Sequence, residues 1–190
     1  MEKKNILVLT GSPRKNGNSD RMADAFIKGA LSVGHEVIKF ETASKNISGC
    51  TACDTCWSNG NPCSFQDDFD ELAPILEAVD VIVFSTPSYW FSFPAQIKAA
   101  IDKMYAYTGV SCKRPLKIKE SLLLVCGSEE GIRKFDGIIA SYREIANYMK
   151  WEDKGVLAVP NVYEIGDIEK TDALVKAEEH GKALSPGTIQ

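Results

Sequence analysis

Four cysteines lie close together in sequence, at Cys50, Cys53, Cys56 and Cys63. Three thiols at intervals of three residues fall on one concave turn, and a more distant fourth completes a set of four sulfur ligands, as in bacterial ferredoxin motifs. Structural zinc sites more often use two separated C-x-x-C pairs, so this spacing favours an iron–sulfur cluster over zinc. Free thiols or an adventitious disulfide are the alternative interpretation.

A polar loop, Gly11 to Ser19, lies between the first predicted strand and the first predicted helix. The unpaired N–H groups and positive dipole end of a helix favour an anion here, and a phosphate monoester suits the loop's hydroxyl, amide and guanidinium groups. The lysine–serine ending of a P-loop and the G-x-G-x-x-G pattern are both missing, which disfavours ATP and a Rossmann-type NAD site. An ordinary helix N-cap at Asn18 or Ser19 is the alternative.

A second loop, Thr86 to Phe93, carries four aromatic residues and is bounded by Pro87 and Pro94. A flat ligand ring needs a rigid backbone at its edge and an aromatic or apolar wall at its face, and a flavin ring has both requirements. The alternative is a subunit interface, where large aromatic side chains are enriched. The two interpretations are compatible if the site lies at the interface.

Short apolar runs alternate with stretches of helical period along the chain. The runs predict strands at Asn5 to Thr10, Glu36 to Phe40, Asp80 to Ser85, Leu122 to Cys126 and Val156 to Val159. The periodic stretches predict helices around Met22 to Val33, Phe69 to Leu76, Pro94 to Tyr105, Phe135 to Met149 and Ile168 to Leu184.

Five strands of near-continuous Val, Ile and Leu separated by helices predict an α/β fold, a doubly wound parallel sheet with helices on both faces. Ligands of such sheets bind at the carboxyl ends of the strands, beside a switch point in strand order. The loops expected to decide function are therefore Gly11 to Ser19, Ser44 to Asp67, Thr86 to Phe93 and Gly127 to Gly131.

Composition and charge limit the classes of protein to which the chain could belong. With 190 residues, 44% hydrophobic and 25% charged, the chain predicts a single domain over residues 1–190, into which residues 48–66 insert a cysteine-rich loop. The net charge of −4 and scattered basic residues argue against nucleic-acid binding. No apolar run is long enough to span a membrane and the lysine-rich start lacks the features of a signal peptide, so we expect a cytoplasmic protein with reduced thiols. Cys112 and Cys126 fall outside the cluster spacing.

The two loops together resemble a known family. The segments LTGSPRKNGNS (residues 9–19), STPSYW (85–90) and PAQIKAAIDK (94–103) closely resemble the flavodoxin-like NAD(P)H-dependent FMN reductases. The resemblance implies that the first loop holds the FMN phosphate, the aromatic loop holds the isoalloxazine ring, and the loop after the fourth strand closes the other side. The cofactor-binding residues so implied are Ser12, Arg14, Asn16, Gly17, Asn18, Ser19, Pro87, Ser88, Tyr89, Trp90, Phe91, Gly127 and Ser128.

The region around the four cysteines resembles the iron–sulfur flavoproteins, a branch of the same superfamily that carries a four-iron, four-sulfur cluster beside FMN. We therefore expect an FMN-dependent oxidoreductase that takes electrons from NAD(P)H and passes them to a small-molecule or protein acceptor. The alternative is an electron carrier between the cluster and FMN. Because the chemistry belongs to the cofactor, we expect no catalytic triad. Trp90, Phe91 and Phe93 are too many large apolar side chains for one flavin ring to cover, which predicts an exposed patch and a homodimer or tetramer.

Overall fold

The computed structural model describes residues 3–109 and 111–184. Within these residues, five strands form one parallel sheet in the order β2-β1-β3-β4-β5. The strands are β1 (Asn5–Thr10), β2 (Glu36–Glu41), β3 (Val81–Pro87), β4 (Glu120–Cys126) and β5 (Glu152–Val159). The predicted doubly wound parallel sheet is confirmed. The single domain over residues 1–190 stays a prediction, and residues 1, 2, 110 and 185–190 lie outside the described part.

Helices cover both faces of the sheet and bury two separate layers of core. They are α1 (Asn18–Ser32), α2 (Phe69–Ala78), α3 (Ala95–Lys103), α4 (Asp136–Met149) and α5 (Ala173–Ala183). In β1, Ile6 and Val8 pack toward α1 and α5, whereas Leu7 and Leu9 pack toward α2, α3 and α4. The two-residue period of a strand thus divides one apolar run between both layers. None of the described helices is both long and apolar enough to cross a bilayer.

The prediction of the last helix, Ile168 to Leu184, is wrong for its first turn. Residues Asp167–Lys170 form a short 3-10 turn, and α5 begins at Ala173. The Thr171 hydroxyl donates to the Ile168 carbonyl and accepts the Ala173 N–H, at 2.7 and 3.1 Å. This side chain gives the backbone local partners outside a helix, so the helical pattern breaks there.

Two other boundaries differ from the sequence prediction. The third predicted helix ends as α3 at Lys103 and tightens into a 3-10 turn over Met104–Tyr107, where the Thr108 hydroxyl donates to the Tyr105 carbonyl. Strand β5 begins at Glu152 rather than Val156. The prediction missed this start because the first residues of β5, which is an edge strand of the sheet, are polar. Apolar runs reveal the buried part of such a strand and miss its exposed start.

Helices α1 and α5 pack closely through two glycines. A Cβ atom built on Gly29 would contact the Glu178 carbonyl oxygen, and one built on Gly181 would contact the Phe26 carbonyl oxygen, both well inside van der Waals distance. The two backbones therefore touch at positions where any side chain would force them apart.

We expect Gly181→Ala to lower the free energy of unfolding by roughly 1–3 kcal/mol, because the added methyl group overpacks this contact. Urea denaturation followed by circular dichroism measures the change. The matched control is Gly49→Ala, since nothing lies within 4 Å of a Cβ atom built there. An unfolding free energy for Gly181→Ala equal to that of the control would contradict the close packing of α1 on α5.

Candidate functional site

A cleft of about 430 Å³ lies at the carboxyl edge of the sheet. It joins the loops that follow β1, β3, β4 and β5, which the parallel strands bring to one edge. Its lining includes most of the residues that the sequence predicts: Ser12, Arg14, Gly17, Asn18, Ser19, Pro87, Ser88, Tyr89, Trp90, Gly127 and Ser128. The remaining lining residues are Cys126, Glu129, Val162, Tyr163 and Ile165.

Two predicted residues lie outside the lining of the cleft. The N–H of Asn16 donates to the Asp20 carboxylate at 2.9 Å, and its carbonyl accepts from Arg21 Nε at 3.0 Å, so Asn16 braces the first turn of α1. The Phe91 carbonyl lies directly against Gly137 at the start of α4. Both residues support the walls of the cleft from behind.

The first loop turns tightly into α1. The Gly17 N–H donates to the Arg14 carbonyl at 3.1 Å, and a Cβ atom at Gly17 would lie 2.9 Å from that same oxygen. Since the first N–H groups of a helix have no acceptor within the helix, the start of α1 offers donors to the cleft beside Asn18 and Ser19. The geometry suits an anion at this end of the cleft.

The side chain of Asn18 has a structural task that its sequence position does not reveal. Its Nδ2 donates to the Glu164 carbonyl at 2.9 Å, and its Oδ1 accepts the N–H groups of Gly166 and Ile168 at 3.1 and 3.3 Å. The amide group therefore fastens the loop after β5 to the start of α1. The backbone N–H of Asn18 and the second hydrogen of its Nδ2 remain as donors for a ligand.

Arg14 also contacts the loop after β5. Its Nη1 donates to the Tyr163 carbonyl at 3.1 Å, and its guanidinium carbon lies 5.4 Å from the centre of the Tyr163 ring. A guanidinium group has five N–H donors, so most of them stay available after this bond. Tyr163 thereby holds the positive charge of Arg14 at the rim of the cleft.

The loop after β5 is the part of the site that sequence reasoning missed. The Asp167 carboxylate accepts the N–H groups of Tyr163 and Glu164 at 3.0 and 2.8 Å. The ion pair with Lys170, followed by these two N–H bonds, lowers the pKa of Asp167 to about 2. The signal was available, because this segment follows a strand just as the other four functional loops do.

The four clustered cysteines line a separate, small recess, together with Lys103 and Tyr105 of the α3 end. Backbone N–H groups donate to two of the sulfurs, Ala52 to Cys50 Sγ and Phe65 to Cys63 Sγ, both at 3.4 Å. Among residues 3–109 and 111–184, no group of three or more side chains is close enough to form a finished metal site. The recess thus gathers the donors of a sulfur-rich site without closing around a metal.

The thiols differ in electrostatic environment. Hydrogen bonds from the Ser64 hydroxyl and then from Thr55 lower the pKa of the Cys53 thiol to about 7. Burial raises the pKa of the Cys56 thiol, and the negative charges of Cys53, Cys50 and Cys63 raise it further. Charged neighbouring thiols therefore disfavour the Cys56 thiolate, an effect that a bound cation would relieve.

Comparison with known proteins agrees with this geometry. Residues 4–136 match the family model described as NADPH-dependent FMN reductase. The chain belongs to this family. The resemblance seen in the sequence is thereby confirmed, and the match covers the loops after β1, β3 and β4 and the cysteine-rich segment.

Two relatives of this FMN reductase family member are iron–sulfur flavoproteins. That of Archaeoglobus fulgidus is 34% identical over 161 residues, 83% of this chain and 66% of that protein. That of Methanosarcina thermophila is 32% identical over 98 residues, 52% of this chain and 51% of that protein. The chain therefore spans about half to two thirds of the length of these curated relatives.

A solved structure shows the same fold. The NAD(P)H:quinone oxidoreductase from Methanothermobacter marburgensis superimposes with a TM-score of 0.75 at 17% identity, covering 96% of this chain and 98% of that one. At this identity the likeness establishes the flavodoxin-like architecture alone. The homodimer or tetramer stays a prediction, and of the three aromatic residues behind it Trp90 and Phe91 are exposed whereas Phe93 is buried in the core.

One wall of the cleft in this FMN reductase family member is a strained aromatic turn. Tyr89 and Ser92 pair through two backbone hydrogen bonds of 3.0 Å, and the two residues between them have φ of 50° for Trp90 and 64° for Phe91. Such two-residue turns normally use Asn and Gly, because left-handed backbone is costly for bulky residues. Trp90 is 93% exposed, so burial does not offset the strain.

We expect the double change Trp90→Asn with Phe91→Gly to raise the free energy of unfolding by roughly 1–2 kcal/mol, because both residues then suit left-handed backbone. Urea denaturation of the cofactor-free protein measures the gain. The control, Trp90→Ala with Phe91→Ala, removes the same rings and keeps the strain. Equal stability of the two double variants would contradict the assignment of strain to this turn.

Proposed function

We propose that this protein binds FMN in the cleft and acts as an NAD(P)H-dependent oxidoreductase. The observation that carries the proposal is the arrangement of the cleft, with the start of α1 and Arg14 at one end and the segment Pro87 to Trp90 along one wall. A volume of about 430 Å³ lies in the usual range for small-molecule and cofactor sites. The family match supports the same cofactor.

The phosphate of FMN is assigned to the α1 end. The backbone N–H groups beside Asn18 and Ser19, the Ser12 hydroxyl and the Arg14 guanidinium supply donors of the type a phosphate dianion needs. The Ser12 hydroxyl accepts the backbone N–H of Arg14 at 3.1 Å and donates to the Arg14 carbonyl at 3.4 Å, which fixes the backbone of the loop at this point. The positive end of the α1 dipole adds to the attraction.

The flavin ring is assigned to the aromatic wall. The Ser88 N–H is bonded to the Cys126 carbonyl at 2.8 Å, so the ring wall is joined to the end of β4 and held rigid. Tyr89 and Trp90 provide the flat surfaces, while Gly127 and Ser128 form the facing side. Tyr163 and Ile165 lie at the rim, where they would shield the bound cofactor from water.

Bound FMN would supply the chemistry of hydride and single-electron transfer. The protein's residues would bind and orient the cofactor and exclude water from it, and a donor or acceptor would approach past the exposed rim of the cleft. The exposed rings of Trp90 and Tyr163, with 93% and 60% of their surface accessible, offer apolar contacts to such a second molecule. We infer that NAD(P)H is the donor and that the acceptor is a small molecule or a redox protein.

A second candidate function rests on the cysteine recess. Four thiols around one recess, two of them accepting backbone N–H bonds, match the donors of an iron–sulfur cluster, and hydrogen bonds to sulfur are a common feature of such sites. We propose Cys50, Cys53, Cys56 and Cys63 as the ligands of a four-iron, four-sulfur cluster. In that case the protein would relay electrons between the cluster and FMN.

We expect Arg14→Ala to weaken FMN binding roughly 10- to 100-fold, since a charge-assisted hydrogen bond is worth about 1.5–3 kcal/mol. Fluorescence titration measures the dissociation constant for FMN and, in parallel, for riboflavin, which lacks the phosphate. The control is Lys15→Ala, a neighbouring cation outside the lining of the cleft. An equal loss of affinity for riboflavin would show that Arg14 does not contact the phosphate.

Anaerobic stopped-flow mixing separates the two functions. We expect NADPH or NADH to bleach the flavin absorbance of the holoprotein within a single turnover, because a nicotinamide could approach the cleft past the exposed residues Trp90 and Tyr163. Two results together would favour the electron carrier over the enzyme. The first is bleaching by reduced ferredoxin but not by NADPH or NADH. The second is an iron content of about four per chain that any Cys→Ser change in the cluster motif lowers and Cys112→Ser does not.

A further inference from the structure

A buried ion pair lies directly beside the cysteine recess. Lys103 Nζ and Asp67 Oδ2 are 2.5 Å apart, and their side chains are only 1% and 4% exposed. Every other ion pair found in residues 3–109 and 111–184 has more accessible partners, and most lie at the surface. Burial of two charges costs more than their attraction returns in many proteins, so such a pair calls for a role beyond stability.

Asp67 joins both ends of the cysteine-rich segment. Its Oδ2 accepts the Ser48 N–H at 2.9 Å, two residues before Cys50, and its Oδ1 accepts the Phe69 N–H at 3.0 Å at the start of α2. The bond from Lys103 then ties this carboxylate to α3. One ion pair therefore closes the segment at its base and attaches it to the helix beneath.

Lys103 lies beside the recess that holds the four cysteines. It lines the same recess as the four cysteines, whereas Asp67 is absent from the lining in the described part of the chain. The ammonium group also lies 5.4 Å from the Phe69 ring centre and 6.0 Å from that of Phe65. Lys103 therefore contacts both the recess and Asp67, and its ammonium group is shielded from water by two aromatic rings.

We propose that Lys103 is a positioning residue for the cysteine site: it holds segment 48–66 closed on α3 and places a buried cation where an anionic metal–thiolate group would form. The inference rests on the proposed metal site in the recess. A neutral side chain of the same length would fill the space between Phe65 and Phe69 but would supply neither the tie to Asp67 nor the charge. Both properties are separately measurable.

The test uses the full chain with FMN bound and compares three variants. Lys103→Met removes the charge, Lys103→Arg keeps it, and Lys98→Met is the matched control on the same helix, since Lys98 forms an exposed pair with Asp102. Limited proteolysis of the iron-free protein reports on closure of the segment. Chelator-driven iron release and redox titration after anaerobic reconstitution report on the cluster, and flavin content reports on the rest of the fold.

We expect Lys103→Met to be cleaved between Ser48 and Gln66 on the order of tenfold faster than the parent, because an unpaired buried carboxylate is strongly unfavourable. It should lose iron faster, and its cluster should have a more negative reduction potential, since a nearby cation stabilises the added electron. Lys103→Arg and Lys98→Met should match the parent in potential. If Lys103→Met does not fold, the double variant with Asp67→Asn replaces it and Asp67→Asn alone serves as its parent, so that the two proteins compared still differ only at residue 103.

A folded Lys103→Met, or the double variant in its place, with parent-like cleavage, iron release and potential would overturn the proposal. So would faster cleavage with an unchanged potential, because that result assigns Lys103 a structural role alone. A parent protein that takes up no iron would contradict the cluster and would overturn the electrostatic half of the proposal with it. The cleavage rates of the iron-free variants would still decide whether Lys103 closes the segment.

Discussion

The hydrogen-bond ladder of the parallel sheet does not stop where the strands stop, and the site depends on this continuation. The Gly11 N–H donates to the Ser85 carbonyl, the Ser88 N–H to the Cys126 carbonyl and the Gly127 N–H to the Val159 carbonyl, at 2.8–3.1 Å. Each bond attaches the first residues of one functional loop to the neighbouring strand. Because β1, β3 and β4 are almost fully buried, the loops start from rigid positions, and a cofactor cleft needs that rigidity.

The sequence was sufficient to predict the architecture and the loops after β1, β3 and β4 that line the cleft. Runs such as Ile6 to Leu9 can only be buried on both faces, and that pattern specifies a parallel sheet and hence the edge at which its loops meet. The topology also places the loop after β5 at this edge, but the contacts that fasten that loop to the cleft could not be derived from the sequence. The Asn18 side chain forms hydrogen bonds with Glu164, Gly166 and Ile168, about 150 residues away. No local sequence pattern predicts hydrogen bonds over such a separation.

Lys103 illustrates the same limit for the cysteine segment. A lysine in the last turn of a helix is ordinarily a solvated residue that interacts with the helix dipole, and its sequence neighbours predict nothing else. Its burial follows from Asp67, Phe65 and Phe69, which the chain brings over α3 only after the whole segment has folded back. The spacing of cysteines predicted a ligand set, but it could not predict what holds that set in place.

The two sites are stabilised in different ways, and the difference bears on how each could work. The cleft loops are short and bonded to strands, so the cleft is formed before any cofactor binds. The cysteine segment is anchored instead by side chains: the Lys103–Asp67 pair, the bond from the Tyr105 hydroxyl to Asp54 at 3.2 Å, and the contact of Trp57 with Tyr105, whose ring centres are 4.7 Å apart. The strained aromatic turn lies at the cleft and the buried ion pair lies at the recess. Each lowers the free energy of unfolding relative to residues that suit the same position without strain or buried charge. Such costs persist where the surrounding structure enforces them, and in this chain both features adjoin the residues proposed to bind a cofactor or a metal.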